Sequence, residues 1–169
     1  MLKKVQRKSI SAPGARFAIV ASQFNRRYVD SMLEAAQSVL VRARADAIEI
    51  FRVPGAFEIP VVAARLARVS PPAFAAILCV GVIFRGETTH AQHIGEAVSL
   101  TLAQLQAAHA VPLIHGVYLF ENREQARVRC LDKEHNRGRE LAQTALEMAA
   151  LMRRLDARFV GSPIPRRRR

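Results

Sequence analysis

The feature that most constrains the fold is a long apolar run that follows two prolines. Residues 71–84, PPAFAAILCVGVIF, open with a proline break and continue without a charged side chain. A strand that is exposed on one face alternates apolar and polar residues, whereas a strand covered on both faces is apolar throughout. The run therefore predicts a strand that is buried on both faces, as in a parallel sheet.

Strand and helix patterns alternate along the rest of the chain. Short apolar or alternating segments predict further strands at residues 17–22, 47–53 and 111–119. Helical spacing of apolar residues predicts helices at residues 28–43, 57–69, 123–130 and 137–155, and a further helix with an apolar face of Ile94, Ala97, Val98, Thr101, Leu105 and Ala108. Within residues 57–69, Pro60 is tolerable only in the first helical turn. This order predicts an α/β sandwich with a mainly parallel sheet.

Length and composition indicate one globular domain. The chain has 169 residues, half of them hydrophobic, which suffices for a core and argues against disorder. No apolar run approaches the roughly 20 residues of a membrane span, and the N-terminus lacks the apolar segment of a secretory signal. Two cysteines far apart in sequence favour a reducing compartment, so we expect a cytoplasmic protein. We expect an extended arm at residues 1–15, one domain at 16–156 and a basic, disordered tail at 157–169.

The chain is strongly basic. It has 26 Lys and Arg against 14 Asp and Glu, a formal net charge of +12. A basic chain can bind nucleic acid, an anionic surface or a phosphorylated substrate. Four charges lie in the tail at Arg166–Arg169, and most others are scattered over predicted helix faces. Because no RNA-binding signature with interleaved aromatics and no Cys/His finger spacing is present, we do not expect nucleic acid to be the main partner.

The turn after the apolar strand carries the most chemistry, because ligands of parallel α/β sheets bind where strands end and helices begin. Residues 85–90, RGETTH, combine the fixed charge of Arg85 with a glycine and a helix start, whose free N–H groups favour an anion. His90 can take or give a proton near neutral pH. An ordinary helix start capped by a threonine is the alternative. His93, one turn on, could form a metal pair with His90, but no acidic or cysteine ligand stands at supporting spacing, so we expect no metal.

Three further stretches supply candidate site residues. Glu58, in VPGAFEIP, falls near a helix N-terminus, where its carboxylate can accept hydrogen bonds from hydroxyls. Phe24, just past the first strand, is either a stacking platform for a flat ring or a core residue. Residues 127–140 are either a solvated connection or an element that brings a guanidinium to a phosphate. Within this block we expect Arg139 on a solvated helix face.

Taken together, these stretches resemble a known family. FN (24–25), VPGAFEIP (53–60), GVIFRGETTH (81–90) and EQA followed by Arg, Lys and HNRG (124–138) occur in the order and approximate spacing of the 6,7-dimethyl-8-ribityllumazine synthases of riboflavin biosynthesis. The resemblance covers about residues 15–155. It implies a three-layer, flavodoxin-like α/β/α protomer with a four-stranded parallel sheet. It also implies homopentamers, which in some members form an icosahedral shell of twelve pentamers, with active sites between neighbouring subunits. The N-terminal arm would add a strand to a neighbour's sheet.

The resemblance further implies a reaction between two small molecules, without cofactor or metal. 5-Amino-6-(D-ribitylamino)uracil would condense with 3,4-dihydroxy-2-butanone 4-phosphate, releasing phosphate and water, with His90 as the proton shuttle. By resemblance, the uracil substrate contacts Phe24, Ala56, Phe57, Glu58, Val82, Ile83, Phe84 and His115. The butanone phosphate contacts Glu87, Thr88, Arg129 and Lys133. Riboflavin synthase, which would consume the product, is a candidate partner.

Three positions depart from the family pattern. His115 stands where an aromatic residue, usually Phe, packs on the ring; Phe84 is bulkier than the usual aliphatic residue; and His93 has no family role. Two other classes of function stay open on sequence alone. One is a non-catalytic relative that binds a flavin or a phosphosugar, and the other is a nucleic-acid-packaging relative that uses the positive charge.

Overall fold

A computed structural model of the chain describes residues 10–159. The strands are β1 (Arg16–Ser22), β2 (Ala47–Val53), β3 (Ala76–Phe84) and β4 (Leu113–Phe120). The helices are α1 (Arg26–Arg42), α2 (Ile59–Ala67), α3 (His90–His109), α4 (Arg123–Ala126) and α5 (Arg137–Phe159), with a 3-10 turn at Ala56–Glu58 and a π-helical turn at Arg127–Leu131. All strand pairs are parallel, in the order β2-β1-β3-β4.

Two apolar clusters, one on each face of the sheet, make the protomer three-layered. Helices α1 and α5 cover one face and helices α2 and α3 cover the other. Strand β3 lies between β1 and β4 and is buried from Ala76 to Ile83. Successive side chains of a strand point to opposite faces, so Leu78 and Val80 belong to the first cluster and Ile77 and Cys79 to the second. The predicted α/β/α sandwich and the doubly buried strand are confirmed.

Several helix boundaries differ from the prediction. Helix α2 begins at Ile59, after a 3-10 turn, and Pro60 lies in its first turn as expected. The segment predicted as a helix over 123–130 is the short α4 followed by the π-helical turn. The expected apolar face of α3 is wrong at Ala97 and Ala108, which are exposed. Its buried residues are Ala91, Val98 and Leu102. Alanine is compatible with either environment, so its spacing alone does not locate the buried face.

The N-terminal end of the described chain packs on the body, whereas the last residues of α5 are exposed. Ala12 is buried, and its N–H donates to the Ala43 carbonyl over 2.7 Å. Helix α5 continues through Phe159 and so includes the first three residues of the predicted tail. Residues 1–9 and 160–169 lie outside the described part, so the arm and the rest of the tail stay predictions. Within residues 10–159 no helix combines the length and the apolar character needed to cross a membrane.

Candidate active site

The loops that follow β1 and β2 meet at the carboxyl edge of the sheet. The N–H of Gln23 donates to the Val53 carbonyl over 2.8 Å, and that of Phe24 donates to the Pro54 carbonyl over 3.0 Å. The Phe24 ring lies against Gly55, where an added Cβ would come within 3.1 Å of it. The ring is 67% exposed, which favours the stacking platform over the core residue among the two alternatives.

The turn after β2 presents a carboxylate beside that ring. Oε2 of Glu58 accepts a 2.8 Å hydrogen bond from the N–H of Gly55, which fixes the side chain and leaves its other lone pairs available. Ala56 is buried 3.3 Å from the Cβ position of Gly81 on β3, whereas Phe57 is exposed. The turn is therefore seated on the central strand through Ala56 and displays Glu58 and Phe57 at the edge.

Asn25 connects the loop after β1 to the end of β3. Its Nδ2 donates a 2.7 Å hydrogen bond to the Val82 carbonyl, beyond the last β1–β3 pair at Ala21 and Val80. Asn25 adopts left-handed backbone angles (φ 57°, ψ 36°), which asparagine tolerates better than most residues. Asn25 is the second residue of the FN motif at residues 24–25, and the sequence predicted no role for it. An asparagine just after a strand was the available signal, because it suits such a turn.

The other residues expected at the end of β3 face different ways. Ile83 is buried in the cluster beneath α2 and α3. Phe84 packs its ring edge-on against Tyr28, with ring centroids 5.5 Å apart, on the α1/α5 face. Backbone groups of alternate strand residues point to the same side, so Phe84, like Val82, directs its backbone past the end of β1. That is where Phe24 and Asn25 lie, and a planar ligand there would meet the Phe84 backbone.

The turn between β3 and α3 is exposed from Arg85 to His90. Nε of Arg85 pairs with the Glu121 carboxylate at 2.8–2.9 Å, so its charge is already partly satisfied. The hydroxyl of Thr88 accepts from the N–H of His90 only at a long 3.4 Å, and no side chain of the N-cap residue caps α3. An added Cβ at Gly86 would meet no atom within 4 Å. The helix start is thus weakly capped and open, which favours the anion-binding interpretation of this turn.

His90 is placed beside the turn after β2. Its neighbour Ala91 is buried in the same apolar cluster as Ala56, and α3 packs against the 3-10 turn. The imidazole of His90 is exposed at the same edge as Phe24 and Glu58. His93 is exposed one turn further along α3. Within residues 10–159, no three His, Cys, Asp or Glu side chains gather in an arrangement that could hold a metal ion.

His115 lies away from this edge within the same chain. It pairs with Cys79, five residues before the final pair of Phe84 and Phe120, or about 16 Å along the strand at 3.3 Å per residue. Its Nε2 lies 2.9 Å from the Ser99 hydroxyl on α3. His115 is exposed at the surface of the single chain, but partial burial of its ring lowers its pKa, and a hydrogen bond to its own backbone offsets this only in part. The ring is therefore more readily neutral than an ordinary histidine.

Arg129 and Lys133 lie on the other side of the sheet from His90. Cys130, which follows Arg129, is buried in the cluster of the α1/α5 face, whereas Ala91 is buried in the opposite cluster. No hydrogen bond or ion pair of residues 10–159 joins Arg129 or Lys133 to the turn at residues 85–90. One chain thus brings Phe24, Glu58, the turn at residues 85–90 and His90 together, but not His115, Arg129 or Lys133.

The arginines of the block 127–140 differ in their pairing. Arg127 makes two hydrogen bonds to Glu124 at 2.7–2.8 Å, and Arg137 pairs with Glu140. Arg129 is half-buried and has no hydrogen bond or ion pair in the described part of the chain. The expectation for Arg139 was wrong, because it is half-buried and its Nε is enclosed, without a partner among the described residues. Arg129 is therefore a guanidinium available to an anion.

Comparison with known proteins decides the family. The model of the family described as 6,7-dimethyl-8-ribityllumazine synthase matches residues 14–153. Proteins of that name from Stenotrophomonas maltophilia (strain R551-3) and Aquifex aeolicus (strain VF5) are each 41% identical to this chain. The first alignment covers 83% of this chain and 91% of the relative, and the second covers 86% and 95%. The chain belongs to the 6,7-dimethyl-8-ribityllumazine synthase family.

The lumazine synthase match spans the whole candidate site. Another protein of that name, from Xylella fastidiosa (strain 9a5c), is 38% identical over 84% of this chain and 92% of its own length. The predicted family membership is confirmed, and the relatives do not favour the non-catalytic or nucleic-acid-packaging alternatives. The matched range runs past both Phe24 and Lys133. The role of each residue stays a prediction.

Proposed function

We propose that this chain is a 6,7-dimethyl-8-ribityllumazine synthase, a cytoplasmic transferase of riboflavin biosynthesis that condenses 5-amino-6-(D-ribitylamino)uracil with 3,4-dihydroxy-2-butanone 4-phosphate. The observation that carries the proposal is the arrangement at the carboxyl edge. There an exposed aromatic ring, a fixed carboxylate, an open helix start and a histidine meet, in a chain whose relatives bear this name.

The uracil substrate would lie between the loops after β1 and β2. The exposed face of Phe24 offers a stacking surface for the ring, and the backbone of Phe84 offers hydrogen bonds to its edge. Ala56 and Phe57 complete the wall, with Val82 and Ile83 below. Glu58 keeps lone pairs free for ribityl hydroxyls, because the N–H of Gly55 uses only part of one oxygen.

The butanone phosphate would lie at the start of α3. The backbone N–H groups near Glu87 and Thr88 and the helix dipole favour a phosphate there. The amine of the uracil substrate adds to the ketone and loses water to form an imine. His90 then accepts the proton from the carbon beside the imine, and the phosphate leaves with its bonding electrons. Holding two substrates in register accounts for much of the acceleration.

A second copy of the chain would complete this site. Arg129 and Lys133 are cations without a bonded partner in the described residues, and the sheet separates them from the turn of the same chain. His115 is likewise remote from the edge. Phe57 and Val61, one helical turn apart, are 60% and 68% exposed, and Leu100 on α3 is 62% exposed, as in a chain that buries these residues against a neighbour. We infer a homo-oligomer, a pentamer or a shell of pentamers, in which the neighbour supplies Arg129, Lys133 and His115 to the site.

The experiment that tests the activity is a direct assay. Purified protein, treated with a chelator, is supplied with both substrates while lumazine absorbance and released phosphate are followed. We expect one phosphate for each lumazine at a rate well above the uncatalysed condensation, with riboflavin synthase able to consume the product. A rate no higher than that of the substrates alone would refute the proposed activity, and dependence on added zinc would refute the metal-free mechanism.

Mixed assemblies test the shared site separately. His90→Ala damages the edge, and Arg129→Ala damages the remote group. If each site takes its edge from one chain and its guanidinium from another, random co-assembly leaves both residues intact in about a quarter of sites. We expect more activity from the co-refolded mixture than from the two variants assayed apart. Activity equal to their average would mean that each site draws on one chain.

A further inference from the structure

The π-helical turn that bears Arg129 ends with a buried carbonyl that needs hydrogen-bond donors from elsewhere in the fold. The π-helical turn Arg127–Leu131 stops at Leu131, so the carbonyls of its last residues lack helical partners. The Cys130 carbonyl is among them and lies in the protein interior, since Cys130 is fully buried. A buried carbonyl without a partner costs free energy, so a donor is required.

Two side chains supply that donor. Nδ2 of Asn136 donates to the Cys130 carbonyl over 2.5 Å, and the hydroxyl of Ser31 on α1 donates to the same carbonyl over 2.8 Å. Nδ2 of Asn136 also lies 3.1 Å from the Ser31 hydroxyl and 3.3 Å from its carbonyl. The three residues therefore tie the π-helical turn to α1 directly behind Arg129.

Asn136 simultaneously begins α5. Its Oδ1 accepts a 2.9 Å hydrogen bond from the N–H of Gly138, the second residue of the helix, as in a capping residue. Aspartate could cap the helix equally well, but it has no N–H to give to Cys130. Asn136 is only 4% exposed. Both ends of its amide are thus used, and only asparagine meets both demands in this position.

The neighbouring glycine makes the attachment rigid. An added Cβ at Gly138 would lie 1.9 Å from the Met32 carbonyl oxygen, so the backbones of α1 and α5 touch at this point. Met32 follows Ser31, and Gly138 follows Asn136 by two residues. The π-helical turn is therefore held against a close crossing of two long helices, which fixes the backbone position of Arg129.

We propose that Asn136, assisted by Ser31, is a positioning residue for the phosphate, which acts through Arg129. This inference rests on the proposed function, since it takes Arg129 as a phosphate ligand. A guanidinium binds a phosphate through two parallel bonds, whose geometry depends on where the backbone places the side chain. Releasing the Cys130 carbonyl would let the π-helical turn shift, and small displacements of a ligating group lower affinity steeply.

The test compares Asn136→Asp with Asn122→Asp. Asn122 also caps a helix through its side-chain oxygen, which accepts from the N–H of Gln125 over 2.9 Å, but no donation by its amide is seen within residues 10–159. We expect Asn136→Asp to raise KM for the butanone phosphate about tenfold, with KM for the uracil substrate within about twofold of the parent. Asn122→Asp adds the same charge and should change neither constant.

Ser31→Ala keeps the proposal testable if Asn136→Asp fails to fold. It adds no charge and removes one of the two donors, so we expect a KM increase of about threefold for the butanone phosphate alone. Ser38→Ala, which removes an exposed hydroxyl from the same helix, is its control. Folded variants with parental KM values, or with equal increases for both substrates, would overturn the positioning role.

A double-substitution cycle separates positioning from general damage. If Asn136 acts through the Arg129 guanidinium, Asn136→Asp should have little further effect on KM in an Arg129→Lys background. Additive effects of the two substitutions would contradict the proposal. Titration with inorganic phosphate alone gives a readout that needs no turnover: we expect weaker phosphate binding in Asn136→Asp than in Asn122→Asp. Failure of lumazine formation in the parent would leave this binding difference intact, so the two failures are distinguishable.

Discussion

The side-chain amide of Asn25 donates to the main-chain carbonyl of Val82, joining the loop that carries Phe24 to the end of the central strand. This bond continues the contact between β1 and β3 beyond their last paired residues. It thereby helps to hold the loop of the proposed stacking ring beside the end of β3. The hydrogen bond therefore ties the turn after β1 to the central strand at the carboxyl edge of the sheet.

Asn25→Gly should weaken binding of the uracil substrate. Glycine accepts the left-handed backbone of Asn25 without strain but cannot donate to Val82. We expect KM for the uracil substrate to rise about tenfold and KM for the butanone phosphate to stay near normal. Arg44→Gly, at another left-handed position (φ 62°) on the surface, is the matched control and should leave both unchanged. An unchanged KM in Asn25→Gly would mean that the loop is held without this bond.

Two glycines in helices should differ greatly in their response to alanine. Gly138→Ala places a Cβ 1.9 Å from the Met32 carbonyl oxygen, and two backbones cannot yield as a flexible side chain can, so the loss of unfolding free energy should exceed about 3 kcal/mol. At Gly95, in α3, an added Cβ meets no atom within 4 Å, and the change should stay below about 1 kcal/mol. Denaturant unfolding at one protein concentration measures both. Similar losses would mean that the α1–α5 crossing is looser than described.

His115 should make stability depend on pH. Partial burial of its ring depresses its pKa below 6.5 in the folded chain, so the unfolded chain takes up the proton more readily. The stability that neutral His115 contributes is complete above pH 6.5 and is lost as the pH falls through the lower folded pKa. The free energy of unfolding of the parent should therefore fall more steeply than that of His115→Phe between about pH 7 and pH 5. Parallel curves would exclude this histidine as the cause.

Arg129→Lys should affect one substrate. A lysine keeps the charge but cannot copy two parallel N–H bonds to a phosphate. We expect a higher KM for the butanone phosphate, weaker competition by inorganic phosphate, and near-normal KM for the uracil substrate. Arg123→Lys, at an exposed position of the same segment, is the control, since Arg139 proved half-buried and is unsuitable. Equal effects of the two changes would mean that diffuse charge holds the anion.

Local patterns predicted the elements better than their arrangement. The apolar run ending at Phe84 predicted a doubly buried strand because burial on both faces leaves a direct mark on composition. The π-helical turn was missed, since its apolar spacing resembles that of an ordinary helix. The remoteness of His115 depends on the register with Cys79, and the enclosure of Arg139 Nε depends on tertiary packing. Neither relation is local in sequence.

Among the site residues, too, local patterns predicted some positions, and tertiary contacts that the sequence does not reveal determine others. Phe24, Glu58 and His90 each follow a strand, so the rule that ligands bind at the carboxyl ends of parallel strands located them together. The bonds of Asn25 and Asn136 could not be predicted from the sequence. Asn25 donates to a carbonyl 57 residues away, and Asn136 donates to a carbonyl 6 residues earlier, across a turn whose geometry the sequence does not reveal. The family resemblance supplied the residues but not these supports.

The measurement that tests the central claim most directly is the turnover rate of His90→Ala in the lumazine assay, beside His93→Ala. If His90 moves the protons of the condensation, its loss should lower kcat by roughly 10²–10⁴. Binding of the uracil substrate should be largely kept, and residual activity should remain from the positioning of two substrates. His93→Ala, exposed one turn further on, should retain parental turnover. Full activity in His90→Ala, with the loss appearing in His93→Ala, would contradict the account of this edge as the active site built around His90.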